Sequence, residues 1–87
     1  MPYHKNKQQA FQAAQQGAAQ AENVFQQLEK DGSDYGIQLS HLKEEVNEAY
    51  EQINNALEVA SETQRETLEQ YRRDLARIVD EVNIEEQ

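Results

Sequence analysis

Seventeen carboxylates and two histidines are the residues whose types could do chemistry in this chain. Helical bundles hold pairs of metal ions with inward-facing glutamates and Glu-x-x-His pairs. A carboxylate in a cleft that shifts its pKa serves as a general acid or base. The spacing fits neither pattern. His4 has Met1, not Glu, three places before it, and His41 has Gln38 there. Glu44 and Glu45 follow His41, and Glu44, Glu48 and Glu51 fall on a face turned away from the apolar positions. A solvated acidic surface accounts for them. Cysteine is absent, which removes thiolate metal sites, disulfides and a Cys nucleophile. No glycine-rich phosphate loop is present; the only glycine-containing turn is at Asp31-Gly32. The residues therefore assign no catalytic, cofactor-binding or metal-ligating role, and no cofactor is expected. A carboxylate-based metal-binding or enzymatic bundle is the alternative to a non-enzymatic reading.

Arg72, Arg73 and Arg77, with Arg65 one face along, form the one basic cluster. Glu69 can reach Arg73, and Arg77 can reach Glu81, each four residues apart on a helix. A salt-bridged exposed helix is the expected reading. The functional alternative is a contact for an anion or an acidic partner, since guanidinium forks suit carboxylates. Tyr50 and Tyr71 sit on or beside apolar stripes and are expected at the edge of a core.

Helices must position these groups, because no alternation typical of strands is visible. Phe11, Ala14, Ala18, Ala21, Phe25 and Leu28 are spaced alternately by three and four, a heptad seam. Leu39, Leu42, Val46, Ala49, Ile53, Ala56 and Ala60 form a second seam, flanked by Tyr50 and Leu57. Leu68, Tyr71, Leu75, Ile78 and Val82 form a third, and residues 83–87 read as a frayed end. Lys30-Asp31-Gly32-Ser33-Asp34 marks a turn, with a glycine suited to a helix C-terminus and Ser and Asp suited to the next N-cap. The third seam is one place out of phase with the second. A turn near Ser61–Gln64 explains the slip, with Thr63 as N-cap and Glu66 closing a capping box. These features predict an all-α, up-down-up three-helix antiparallel bundle with helices at about 3–29, 34–60 and 63–82. The alternative is a dimeric hairpin with one long helix over 34–82, in which the slip is a stutter. The Ala-rich face of the first helix, with Gly17, reads as a close-packed seam; the other use for it is a groove accepting a further helix.

Eighty-seven residues suffice for one domain, 1–87. Leu, Ile, Val and Phe total only 17, so a marginal monomer or self-association is expected. The net charge of -9 is uneven. Residues 1–30 hold three bases and two acids (+1), and residues 31–87 hold five bases and fifteen acids (-10). Acidic helices repel phosphates, so neither nucleic acid nor an anionic membrane surface is an expected partner. No apolar run approaches 18 residues, and the first 30 contain no stretch of signal-peptide length. Neither a membrane span nor export by that route is expected.

From Tyr35 onward the chain resembles the YtzC-like family, small uncharacterised proteins of Gram-positive spore formers. The resemblance rests on Tyr35, Leu39, the Glu45–Ala49 region, Ile53, Ala56-Leu57, Ala60-Ser61, Gln64-Arg65, Leu68, Arg72 and Leu75. It implies a bacterial, cytoplasmic helical protein of unassigned function and carries over no catalytic residues. Together these readings predict a small acidic helical protein acting as an interaction or structural module through its helix faces. Its partner is another protein of unknown identity, or a second copy in a homo-oligomer.

Overall fold

A computed structural model describes residues 7–29 and 31–86, with side chains described as far as Val82. His4, Lys30 and the part of the first predicted helix before Lys7 lie outside the described residues. Three helices follow in order: α1 (Lys7–Gln26), α2 (Tyr35–Leu57) and α3 (Glu62–Glu86). They pack on one another as an all-α, up-down-up three-helix bundle, and no strand occurs among the described residues. The chain reverses between α2 and α3, so the long-helix hairpin does not form. A continuous helix over 34–82 would run about 73 Å at 1.5 Å per residue, whereas the longest dimension of the molecule is 44 Å.

Every apolar position of the second seam from Leu39 to Ala56 is buried, as are Leu68, Leu75, Ile78 and Val82 of the third. Leu42, Ile53, Leu68, Leu75 and Ile78 are the largest fully buried side chains. Tyr71 and Ala60 are half-buried at the core edge. On α1 the buried positions are Ala10, Ala14, Ala18 and Ala21. Ala10 thus takes the place expected of Phe11, which lies half-buried on the α3 side with its ring 6.4 Å from that of Tyr71.

Small residues set how near the helices come. α1 and α2 approach each other far more closely than either approaches α3. A Cβ at Gly17 would lie 3.2 Å from Ala49 Cα and 3.4 Å from its Cβ, and would collide with the Gln52 amide oxygen. Gly17 and Ala49 therefore meet backbone to backbone. The Ala-rich face of α1 is a seam filled by α2, not a free groove. Leu68, Tyr71, Leu75 and Ile78 hold α3 further off.

The connections differ from expectation in detail. α1 stops at Gln26, not near 29, because its last turn tightens. The Gln27 N–H is shared between the Asn23 and Val24 carbonyls, and Leu28 N–H donates to Phe25 O; such three-residue bonds commonly finish a helix. Gly32 lies well past that end and caps nothing. No described residue has positive φ; Gly32 N–H instead donates to Glu29 O (3.0 Å), and Tyr35 N–H donates to Gly32 O (3.2 Å), making two successive turns. Asp34 is the N-cap of α2, but its carboxylate makes no capping bond. α2 ends at Leu57, and α3 begins at Glu62. The capping box is therefore Ser61-x-x-Gln64, not Thr63-x-x-Glu66. Gln64 N–H donates to Ser61 Oγ (3.2 Å), and Ser61 N–H donates to Gln64 Oε1 (3.3 Å). The α3 backbone stays helical through Glu86, beyond the Val82 limit expected for it.

Candidate partner-binding groove

An open groove lies between α2 and α3, away from the 58–61 connection. Leu42 and Val46 of α2 and Ile78, Val79 and Val82 of α3 line it, with Lys43 and Asn47 at its α2 rim. Its volume is about 210 Å³. The helices position it for a local reason. Gly17 and Ala49 draw α1 and α2 together, whereas the facing stripes of α2 and α3 carry branched side chains that keep those two helices apart. A channel with an aliphatic floor remains. Its signal in the sequence is Val79, an apolar residue one step off the third seam. A second, smaller hollow of about 140 Å³ lies between Val24, Gln27, Gln38 and His41 where α1 meets α2. Its walls are mixed, polar groups of Gln27, Gln38 and His41 alternating with apolar surface, and Gln38 Oε1 there accepts from the Glu29 N–H (3.2 Å).

The three arginines do not converge. Each residue along a helix turns by 100°, so Arg72 faces away from Arg73, while Arg73 and Arg77 share a face. Arg72 Nη1 lies 3.5 Å from Glu69 Oε1, Arg73 Nη2 donates to Gln70 Oε1 (2.9 Å), and Arg77 Nη2 lies 4.0 Å from Asp74 Oδ1. These pairs replace the expected Glu69–Arg73 and Arg77–Glu81 pairs. Burial pushes the Tyr50 phenol above its ordinary pKa of 10.0, with Arg72 opposing that rise and Asp80 adding to it. Arg65 does work that its position alone did not suggest. Its Nη2 donates to Leu57 O (3.1 Å), the last carbonyl of α2. A cation there satisfies a terminal acceptor and meets the negative end of the helix dipole.

His41 Nε2 lies 3.9 Å from Glu45 Oε2, one helical turn on, with the His side chain largely in solvent. Among the described residues no three His, Asp or Glu side chains are grouped to hold a metal ion. No described helix is long and apolar enough to cross a membrane. All buried side chains among them are apolar, and no buried side-chain polar atom lacks a partner. Of the large apolar residues, Ile37 (73 % exposed) and Val59 (43 %) stand in solvent, one on α2 and one in the α2–α3 connection. No protein family, curated protein or solved structure matches the chain.

Proposed function

We propose that the protein is a non-enzymatic interaction module that binds another protein through a helix face. One observation carries this reading: an aliphatic groove left open between α2 and α3, whereas α1 and α2 meet backbone to backbone at Gly17 and Ala49. Helix-in-groove recognition uses such a surface, with anchors at three- and four-residue spacing. The groove is smaller than the roughly 300–1,000 Å³ of small-molecule sites, which favours side-chain anchors over a metabolite. The carboxylates of the described residues lie at the surface, not in a cleft that would ready them for acid–base chemistry. Arg73 and Arg77 offer a secondary contact for an acidic group, and Arg72 a separate one on another face of α3. A cytoplasmic, bacterial setting is part of the proposal and rests on the YtzC-like resemblance.

A photo-crosslinking residue at Asn47, on the groove rim, should trap a discrete partner in cells. The same residue at Glu66, on the exposed outer surface of α3, should not. Equal trapping at both positions, or none at Asn47, would reject the groove as a binding site.

A further inference from the structure

The groove's surroundings are as one-sided as its floor is apolar, and they specify what can lie in it. On α2, Glu44 and Glu51 are three and four residues from Asn47, hence its neighbours on the helix surface. On α3, Asp80 directly follows Val79, which lines the groove. All three acids are exposed. Lys43 is the one cation lining the channel, and residues 31–87 as a whole carry fifteen acids against five bases.

Resting on the interaction reading above, we propose that the groove's occupant is a basic amphipathic helix, with aliphatic residues at three- and four-residue spacing flanked by Lys or Arg. The aliphatic side chains enter between Val46 and Val79. The basic residues on either side meet Glu44 and Glu51 on one bank and Asp80 on the other. Complementary charge across an interface speeds association and selects the partner, and like charge excludes the wrong one. A second copy is the wrong partner by this rule, because seating one groove on another brings the same three acids face to face.

Three synthetic 18-residue peptides with one leucine stripe test this, their flanking positions all Lys, all Gln or all Glu. Titrated into isotopically labelled full-length protein, the Lys peptide should shift backbone amides of residues 42–47 and 78–82. It should bind about tenfold tighter than the Gln peptide and weaken as salt rises, as expected of exposed complementary charges. Glu44→Lys, Glu51→Lys and Asp80→Lys together should invert the order in favour of the Glu peptide. These sites are exposed, so the helical circular dichroism of the triple variant should be unchanged. Val79→Gln should weaken all three peptides while keeping the same spectrum. Equal binding of all three peptides in the groove would overturn the charge assignment and leave the interaction module standing. Shifts spread over acids throughout α2 and α3, or no shifts in the groove, would overturn both. Self-association in analytical ultracentrifugation that Val79→Gln abolishes would put a second copy in the groove and overturn the basic-helix assignment.

Discussion

At Gly17 a single hydrogen atom in place of a side chain decides how two helices sit. The neighbours a Cβ would meet differ in their ability to move. The Gln52 amide is the end of a flexible side chain, whereas Ala49 Cα is backbone inside α2. Gly17→Ala needs Gln52 to swing aside and Ala49 to give by a few tenths of an ångström, and it gains roughly 0.5–1 kcal/mol from replacing a helical glycine. The two effects oppose, so the net change in unfolding free energy should stay within about 1 kcal/mol. Gly17→Leu has no such outlet, because its branches would press on the α2 backbone. Overpacking of this kind costs about 1–3 kcal/mol. Urea unfolding of both variants checks the contrast, and equal midpoints would show that α1 and α2 are not in backbone contact there.

At the scale of elements, the α2–α3 connection is held by groups that the chain presents in a short space. Ser61 and Gln64 cap the start of α3, and Arg65, from the same first turn, reaches back to the Leu57 carbonyl that ends α2. Ser61→Ala should cost about 1 kcal/mol, the usual worth of an N-cap hydroxyl. Gln64→Ala should act on the same reciprocal pair, so the double variant should lose less than the sum of the singles. Thr63→Ala, at an exposed position inside the helix, should stay within about 0.5 kcal/mol. Chemical denaturation of the four proteins decides between the two registers; a larger loss at Thr63 than at Ser61 would restore the other box. The turn itself was legible from the phase slip between Ala60 and Leu68. Its register was not, because Ser61-x-x-Gln64 and Thr63-x-x-Glu66 both satisfy the capping pattern. What separates them is where α2 runs out of core to cover, and that depends on packing. The heptad seams identified the buried faces of α2 and α3 almost residue for residue. They could not reveal the groove, since periodicity states which face is apolar but not how far apart two such faces stand. That distance follows from side-chain bulk at facing positions, and Gly17–Ala49 are paired only once the bundle has folded.

For the molecule as a whole, the bundle is longer than it is wide, at 44 × 26 × 18 Å, with a Cα radius of gyration of 14.3 Å. A compact domain of this length would have about 12 Å, and the excess reflects three helices of 20, 23 and 25 residues lying side by side. Small-angle scattering of a monomeric sample should return this elongated but folded-back shape. Spin labels on cysteines at Glu44 and Arg77 give a sharper reading. A continuous helix would separate them by about 50 Å, whereas reversal at 58–61 brings both labels to the same end of the bundle and well inside that distance. A separation near the larger value would mean that α2 and α3 are one rod in solution.

The alanine seam of α1 also governs time. α2 and α3 each bury several large aliphatic side chains, while every buried residue of α1 is an alanine. A helix whose fully buried anchors are methyl groups, with Phe11, Val24 and Phe25 only half-buried, gives up less apolar area when it lifts away, so it should open at a lower free energy than its neighbours. The part that lifts is also the only one that is not strongly acidic. Each opening would briefly turn the protein into a highly negative two-helix hairpin with Ala49 and Ile53 uncovered. Native-state hydrogen exchange should therefore find α1 amides less protected than those around Ile53 and Leu75. Uniform protection across the three helices would show instead that the bundle opens only as a unit.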